Sequence, residues 1–175
     1  DADKFAKAGY VAIAPQLFER FAPGLDSGYT PAEIEKCRVL IPKVNWDNTA
    51  KDLEAALAEG RKHGKVGNVG YCWGGTVAWV CATRFGVPSV CYYGGGVTNM
   101  PPAEPKGPVE LHFGALDKMI PLDGVKKFQH AHPEVPIFIY DADHGFNCDE
   151  RPSFNKKASE IALQRTLAFF AQHVG

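Results

Sequence analysis

The residues in this chain best suited to chemistry are a cysteine, an aspartate and a histidine, met in that order, each just past a short apolar run. Cys72 lies in Gly70-Tyr-Cys-Trp-Gly74, a G-x-C-x-G motif with valines at 66 and 69 before it and a helical pattern from Thr76 to Phe85 after it. Strand, tight glycine turn, nucleophile and helix in that order make a nucleophile elbow. The turn is so sharp that side chains two residues before and two after the nucleophile would collide. At the N-terminus of the following helix, the dipole and free N–H groups favour thiolate over thiol. The backbone N–H of Trp73 is the candidate donor to a tetrahedral oxyanion. The alternative reading of Cys72 is a buried cysteine in a glycine-rich strand-to-helix turn.

An elbow thiol needs a base within hydrogen-bond reach, and the base needs a group that orients it. His144 stands in Asp141-Ala-Asp-His-Gly-Phe146, after an apolar run ending at Tyr140, and Asp117 in Gly114-Ala-Leu-Asp-Lys-Met-Ile-Pro121, after a run ending at Phe113. The order nucleophile, acid, histidine, each at a strand end, is that of α/β-hydrolases. Against this stand a surface-loop histidine and a solvated turn aspartate. Asp141 and Asp143 compete with Asp117, but as sequence neighbours of His144 they are badly placed to reach its far side.

The elements that must position these residues follow from periodicity and punctuation. Tyr10–Ala14, ended by Pro15, reads as a buried strand, and Gln16 to Tyr29 as a loop. A capping box at Thr30 and Glu33 predicts a helix from Pro31 to about Ile41, stopped by Pro42. A second helix is expected from near Asp47, with Trp46, Ala50, Leu53 and Leu57 on one face and Gly60 and Gly64 bringing its end. Ser89–Tyr93, Val109–Phe113 and Val135–Tyr140 read as strands, the last either delayed in its start by Pro136 or pushed toward the sheet edge. Gly94 to Pro102 reads as a long loop, Leu122–His132 as a helix, and Asn155–Val174 as a helix with Ile161, Leu163, Leu167 and Phe170 inward. Strands alternating with helices imply a mostly parallel sheet flanked by helices, an α/β architecture forming a single domain over residues 1–175. Chemistry in such sheets gathers at the carboxyl ends of the strands.

Composition narrows the partners. Apolar residues make up 45% and charged residues 22%, and the net charge of −1 comes without a basic run, which argues against nucleic acid and anionic membranes. No apolar stretch reaches the length of a membrane span. The 5 cysteines lie far apart without C-x-x-C spacing, so reduced thiols in the cytoplasm are expected, not a disulfide frame or a structural zinc site. Cys81 and Cys91 read as core filler. No phosphate-binding glycine motif is present, and neither a cofactor nor a metal is expected. His112 reads as a satisfied core or cleft-wall residue. His130 and His132 end a helix, where a cation suits the dipole.

Gly70-Tyr-Cys-Trp-Gly-Gly75, the Gly114-x-x-Asp117…Pro121 turn, His144-Gly-Phe146, Gly9-Tyr-Val-Ala-Ile-Ala-Pro15 and Tyr92-Tyr-Gly94 together resemble the dienelactone hydrolase (carboxymethylenebutenolidase) family. The resemblance covers essentially the whole chain. It implies an α/β-hydrolase fold with Cys72 as nucleophile, Asp117 as orienting acid and His144 as base. It further implies attack on a small, strained cyclic enol ester, an acyl-thioester intermediate, hydrolysis by water, and a tyrosine like Tyr92 near the cleft. Family members acting on dienelactone hold its carboxylate with two arginines. One follows the histidine, where this chain has Asn147 and Cys148, which leaves Arg151 as the nearest candidate; Lys36 and Arg38 lie loosely in the region of the other. The family also carries earlier strands and a further oxyanion donor. The opening Asp1–Gly9 reads as a helix tail, so the chain is expected to lack those N-terminal strands. The competing functional readings are a broad carboxylesterase or thioesterase, and a catalytically silent binding protein of the same fold.

Overall fold

The computed structural model describes residues 1–175, which fall into two units, Asp1–Val66 and Gly67–Gly175. In the first unit a short helix, α1 (Ala2–Lys7), is followed by Gly9 at φ 96°. Tyr10–Ala14 is not a strand, and Val11 and Ile13 are 63% and 43% exposed. The expected strand fails because an apolar branched run becomes one only where a neighbouring strand satisfies its backbone, and none pairs with it. The capping box is present: Glu33 N–H donates to the Thr30 hydroxyl at 3.4 Å and Thr30 N–H to the Glu33 carboxylate at 3.0 Å. The helix it starts, α2 (Pro31–Arg38), ends earlier than expected, and a 3-10 turn takes Ile41–Lys43. Pro42 has no N–H to give the Arg38 carbonyl four residues back, and its ring crowds that carbonyl, which accounts for the early stop. In α3 (Trp46–Arg61) the Asn45 side chain accepts the N–H groups of Asp47 and Asn48, and Ala50, Leu53 and Leu57 are buried as their spacing requires.

The second unit is built on four parallel strands in the order β1 (Asn68–Tyr71), β2 (Ser89–Tyr92), β3 (Val109–Gly114) and β4 (Ile137–Tyr140). Each is followed by a helix. After β1 comes α4 (Trp73–Val80), which runs on as a π turn over Cys81–Phe85 and stops at Gly86, φ 67°. After β2, the glycines expected to form a loop instead make α5 (Gly95–Asn99), anchored where Gly96 N–H donates to the Thr76 hydroxyl at 3.0 Å. β3 and β4 are followed by α6 (Leu122–Ala131) and α7 (Lys156–His173). Pro136 does delay β4, though its carbonyl still accepts the Leu111 N–H at 2.9 Å. The inward face of α7 is Ala158, Ser159, Ala162, Thr166 and Phe170, while Ile161, Leu163 and Leu167 are half-buried. Polar Thr166 can sit inside because its hydroxyl pairs with that of Tyr92 at 2.8 Å.

The strands β2 and β3 are buried along their full length, which explains why their sequences lack the alternation of a half-exposed strand. The core between β3, β4 and α7 holds one polar chain. Burial lowers the pKa of His112 against the opposing pull of Glu110, so the imidazole is neutral. Its Nε2–H then donates to Glu110 at 3.0 Å, and its Nδ1 accepts from the Tyr140 hydroxyl at 2.8 Å. Arg165 donates to the same hydroxyl at 3.0 Å. His112 is thus a satisfied core residue. No helix is long and apolar enough to cross a membrane.

Candidate active site

β1 ends at Tyr71, and the chain turns into α4 through Cys72, whose φ of 56° and ψ of −119° are unusual for a residue with a side chain. Close packing enforces the turn. A Cβ on Gly70 would strike the Gly74 carbonyl, and one on Gly75 would lie 2.5 Å from the Tyr92 carbonyl oxygen. Gly74 has open space around it. Of the two flanking glycines marked by the motif, sterics therefore require Gly70 and not Gly74; Gly75 is the second tight position. Cys72 N–H donates to the Tyr92 carbonyl at 3.0 Å, and its own carbonyl accepts Gly75 N–H at 2.9 Å to open the helix.

Asp117 and His144 arrive from the loops after β3 and β4. These loops are stitched together, with Ala115 N–H donating to the Tyr140 carbonyl at 2.7 Å and Leu116 N–H to the Ala142 carbonyl at 3.0 Å. The buried Asp117 carboxylate takes Met119 and Ile120 N–H groups on Oδ1, at 2.8 and 3.2 Å. Its Oδ2 accepts from His144 Nδ1 at 2.7 Å. On the other edge of the ring, His144 Nε2 lies 3.2 Å from Cys72 Sγ. Asp143 is taken up locally, accepting the His144 backbone N–H at 2.6 Å.

The electrostatics agree on where the proton sits. Burial pushes the His144 pKa down, but the hydrogen bonds and charges of Asp117 and Cys72 outweigh it and raise it to about 9. Burial likewise pushes the Cys72 thiol up, and His144, the Trp73 N–H and the Arg151 charge together bring it below its ordinary value. Both directions favour the thiolate–imidazolium form of the pair over thiol and neutral imidazole, and the thiolate is the nucleophilic form of a thiol.

The other expected residues divide. Trp73 directs its backbone N–H at the Cys72 sulfur, and Arg151 lies against Gly145 with its charge felt at the thiol. Tyr92 is fully buried with its hydroxyl on Thr166, so it reaches Cys72 only through its backbone carbonyl. The ring that meets His144 is that of Tyr93, at 5.1 Å between centroids and edge-on, backed by Phe146 at 5.2 Å. Sequence reading passed over Tyr93, yet register gives the signal. Tyr71 pairs with Tyr92, so the residue following Tyr92 is the counterpart of Cys72. Like Cys72 it takes a positive φ, 37°.

The dienelactone hydrolase family model matches residues 2–174. A protein of Synechocystis sp. named "Putative carboxymethylenebutenolidase" is 35% identical over 189 residues, which span 96% of this chain and 77% of that protein. The carboxymethylenebutenolidase of Pseudomonas putida is 32% identical over 176 residues, 93% of this chain and 74% of the relative. Among solved structures, a "Putative Dienelactone Hydrolase" from Klebsiella pneumoniae superposes with a TM-score of 0.81 at 30% identity, covering 97% of this chain and 78% of the other. The Pyrococcus furiosus esterase Pf2001, at 16% identity and a TM-score of 0.51 over 72% of this chain and 61% of its own, shares the α/β-hydrolase fold.

Proposed function

The chain belongs to the dienelactone hydrolase family, the premise on which we propose that it hydrolyses a small cyclic enol ester through Cys72, His144 and Asp117. One observation carries the reading: Asp117, His144 and Cys72 stand in an unbroken line, at 2.7 and 3.2 Å, with the thiol at a strained elbow. A silent binding protein has no use for such strain, since a residue held in a rare backbone conformation costs about 1–3 kcal/mol.

In this reading the Cys72 thiolate attacks the ring carbonyl and the oxyanion takes the Trp73 N–H. Collapse of the tetrahedral species breaks the ring C–O bond. The His144 imidazolium gives its proton to the departing enolate oxygen, leaving an acyl thioester on Cys72 and a neutral imidazole. Water then attacks the thioester, His144 takes one of its protons, and the C–S bond breaks to expel the thiolate. The product acid gives water's other proton to solvent and leaves as a carboxylate, with the thiolate–imidazolium pair restored. Substrate, water and the three side chains supply every atom and proton. Asp117 holds the imidazole by Nδ1 and stabilises its charged form. Arg151 is the candidate partner for a substrate carboxylate, which its planar fork suits.

The test is to trap the thioester. A slow aryl ester mixed with excess enzyme and quenched in acid leaves the acyl mass on the peptide containing Cys72. Cys72→Ala carries no adduct and turns over nothing. An adduct mapped to Cys148, or turnover that persists in Cys72→Ala, refutes the mechanism.

A further inference from the structure

The end of α6 gathers three side chains of a kind that binds metal. His132 closes the helix, its N–H donating to the Phe128 carbonyl at 2.9 Å. Its imidazole is 5% exposed, set against the Phe128 ring at 4.5 Å and edge-on to Trp79 at 5.8 Å. Nδ1 of this ring is buried and makes no hydrogen bond. Yet it is aimed between two carboxylates, Glu104 Oε2 and Glu134 Oε1, each at 3.5 Å.

That spacing is informative. A charge-assisted N–H···O bond settles at roughly 2.7–2.9 Å, so 3.5 Å to both oxygens is a poor ion pair twice over. It matches the edge of a coordination polyhedron. Two donors each about 2.1 Å from one tetrahedral Zn²⁺ stand about 3.4 Å apart. The three donor atoms all lie within 4.8 Å of one another.

We propose that Glu104, His132 and Glu134 form a binding site for a divalent transition cation of the zinc type. The imidazole selects against magnesium and calcium, which take all-oxygen sets. Two carboxylates offset the cation's charge, and the negative end of the α6 dipole points the same way. Pro105, Pro133 and Pro136 stiffen the segments that carry the two glutamates. Three protein donors leave one position for water or a ligand. The cation ties the loop before β3 to the end of α6.

The experiment uses Cys72→Ala protein, so that the thiolate–imidazole pair cannot take the metal. Zn²⁺ is titrated by calorimetry and Co²⁺ by visible absorption. The expected result is one equivalent bound, with the strong Co²⁺ bands of a low-coordinate site. Affinity falls at least 10-fold (the scale of even an outer partner's loss) in Glu104→Gln and in Glu134→Gln, and binding is lost in His132→Gln. The two glutamate side chains are 82% and 56% exposed, so their variants fold and decide the matter even if His132→Gln does not. Affinity unchanged in both glutamate variants overturns the proposal. So does absence of Zn²⁺ and Co²⁺ binding to the Cys72→Ala protein.

Discussion

Asp117 divides its carboxylate between His144 and its own loop, with Oδ2 on Nδ1 at 2.7 Å and Oδ1 on the N–H groups of Met119 and Ile120 at 2.8 and 3.2 Å. Both oxygens accept, so the group cannot rotate without facing a donor unmet.

An amide in its place meets a conflict. In Asp117→Asn the NH₂ must face either the His144 ring or the two backbone donors, and the imidazole loses its preferred tautomer. We expect kcat to fall by about 10²–10⁴-fold, less than in Cys72→Ala. Melting should change little beside that of Asp117→Ala, which strands the buried Ile120 N–H and costs about 1–3 kcal/mol. Steady-state kinetics and calorimetry on the three proteins check the order.

In the proposed mechanism a thiolate–imidazolium pair sets the pH behaviour. His144 is raised to about 9 and Cys72 lowered, so turnover should fall on the alkaline side near pH 9 as the imidazolium loses the proton owed to the leaving group. Iodoacetamide labelling of Cys72 should titrate below the ordinary thiol value. In His144→Ala the opposing pull is gone and burial dominates, so that midpoint moves up. For stability the signs oppose. The His144 contribution is complete below its unfolded value of about 6.5 and is lost as pH rises through about 9. The Cys72 contribution is present above the unfolded thiol value and is lost as pH falls through the depressed folded one. Melting should therefore vary with pH less than labelling does.

The two glycines of the motif should part company. Gly70→Ala drives its Cβ into the Gly74 carbonyl, backbone against backbone, and should cost more than about 3 kcal/mol or leave no soluble protein. Gly74→Ala meets open space in a helix and should be neutral or stabilise by up to about 1 kcal/mol. Urea titration separates them.

The adjacent tyrosines give a similar contrast. Tyr92→Phe leaves the Thr166 hydroxyl buried without its partner and should cost about 1–3 kcal/mol with kcat/KM nearly unchanged. Tyr93→Ala removes the ring against His144 and should lower kcat/KM. An activity loss in Tyr92→Phe greater than that in Tyr93→Ala contradicts this division.

What could be read from sequence was whatever local chemistry decides. The Thr30 and Glu33 box and the helical pattern ending at Phe85 are short-range patterns, and the structure has both. Cys72, Asp117 and His144 each follow the end of a strand, β1, β3 and β4. Tyr10–Ala14 failed because its apolar pattern says nothing about whether a partner strand exists. The inward face of α7 was misjudged because Thr166 is drawn in by a hydroxyl 74 residues away. Tyr93 needed the register of β1 on β2, and the cluster at His132 needed Glu104 brought in from a distant loop. Such pairings are tertiary facts, invisible to periodicity.

Cys72 follows β1 and His144 follows β4, the two edge strands, so how far along the strand direction each one stands depends on three strand alignments: Tyr71 with Tyr92, Tyr92 with His112, and Gly114 with Tyr140. Each step along a strand is about 3.3 Å, as long as the whole 3.2 Å sulfur-to-nitrogen separation. Sliding any one strand by a single residue would therefore undo the pair entirely, and a creep of a fraction of a step would already weaken it. The labelling rate of one thiol is thus a gauge of how true the sheet lies. Cavity-making changes deep in β2 or β3 should register there while the circular dichroism of the helices stays flat.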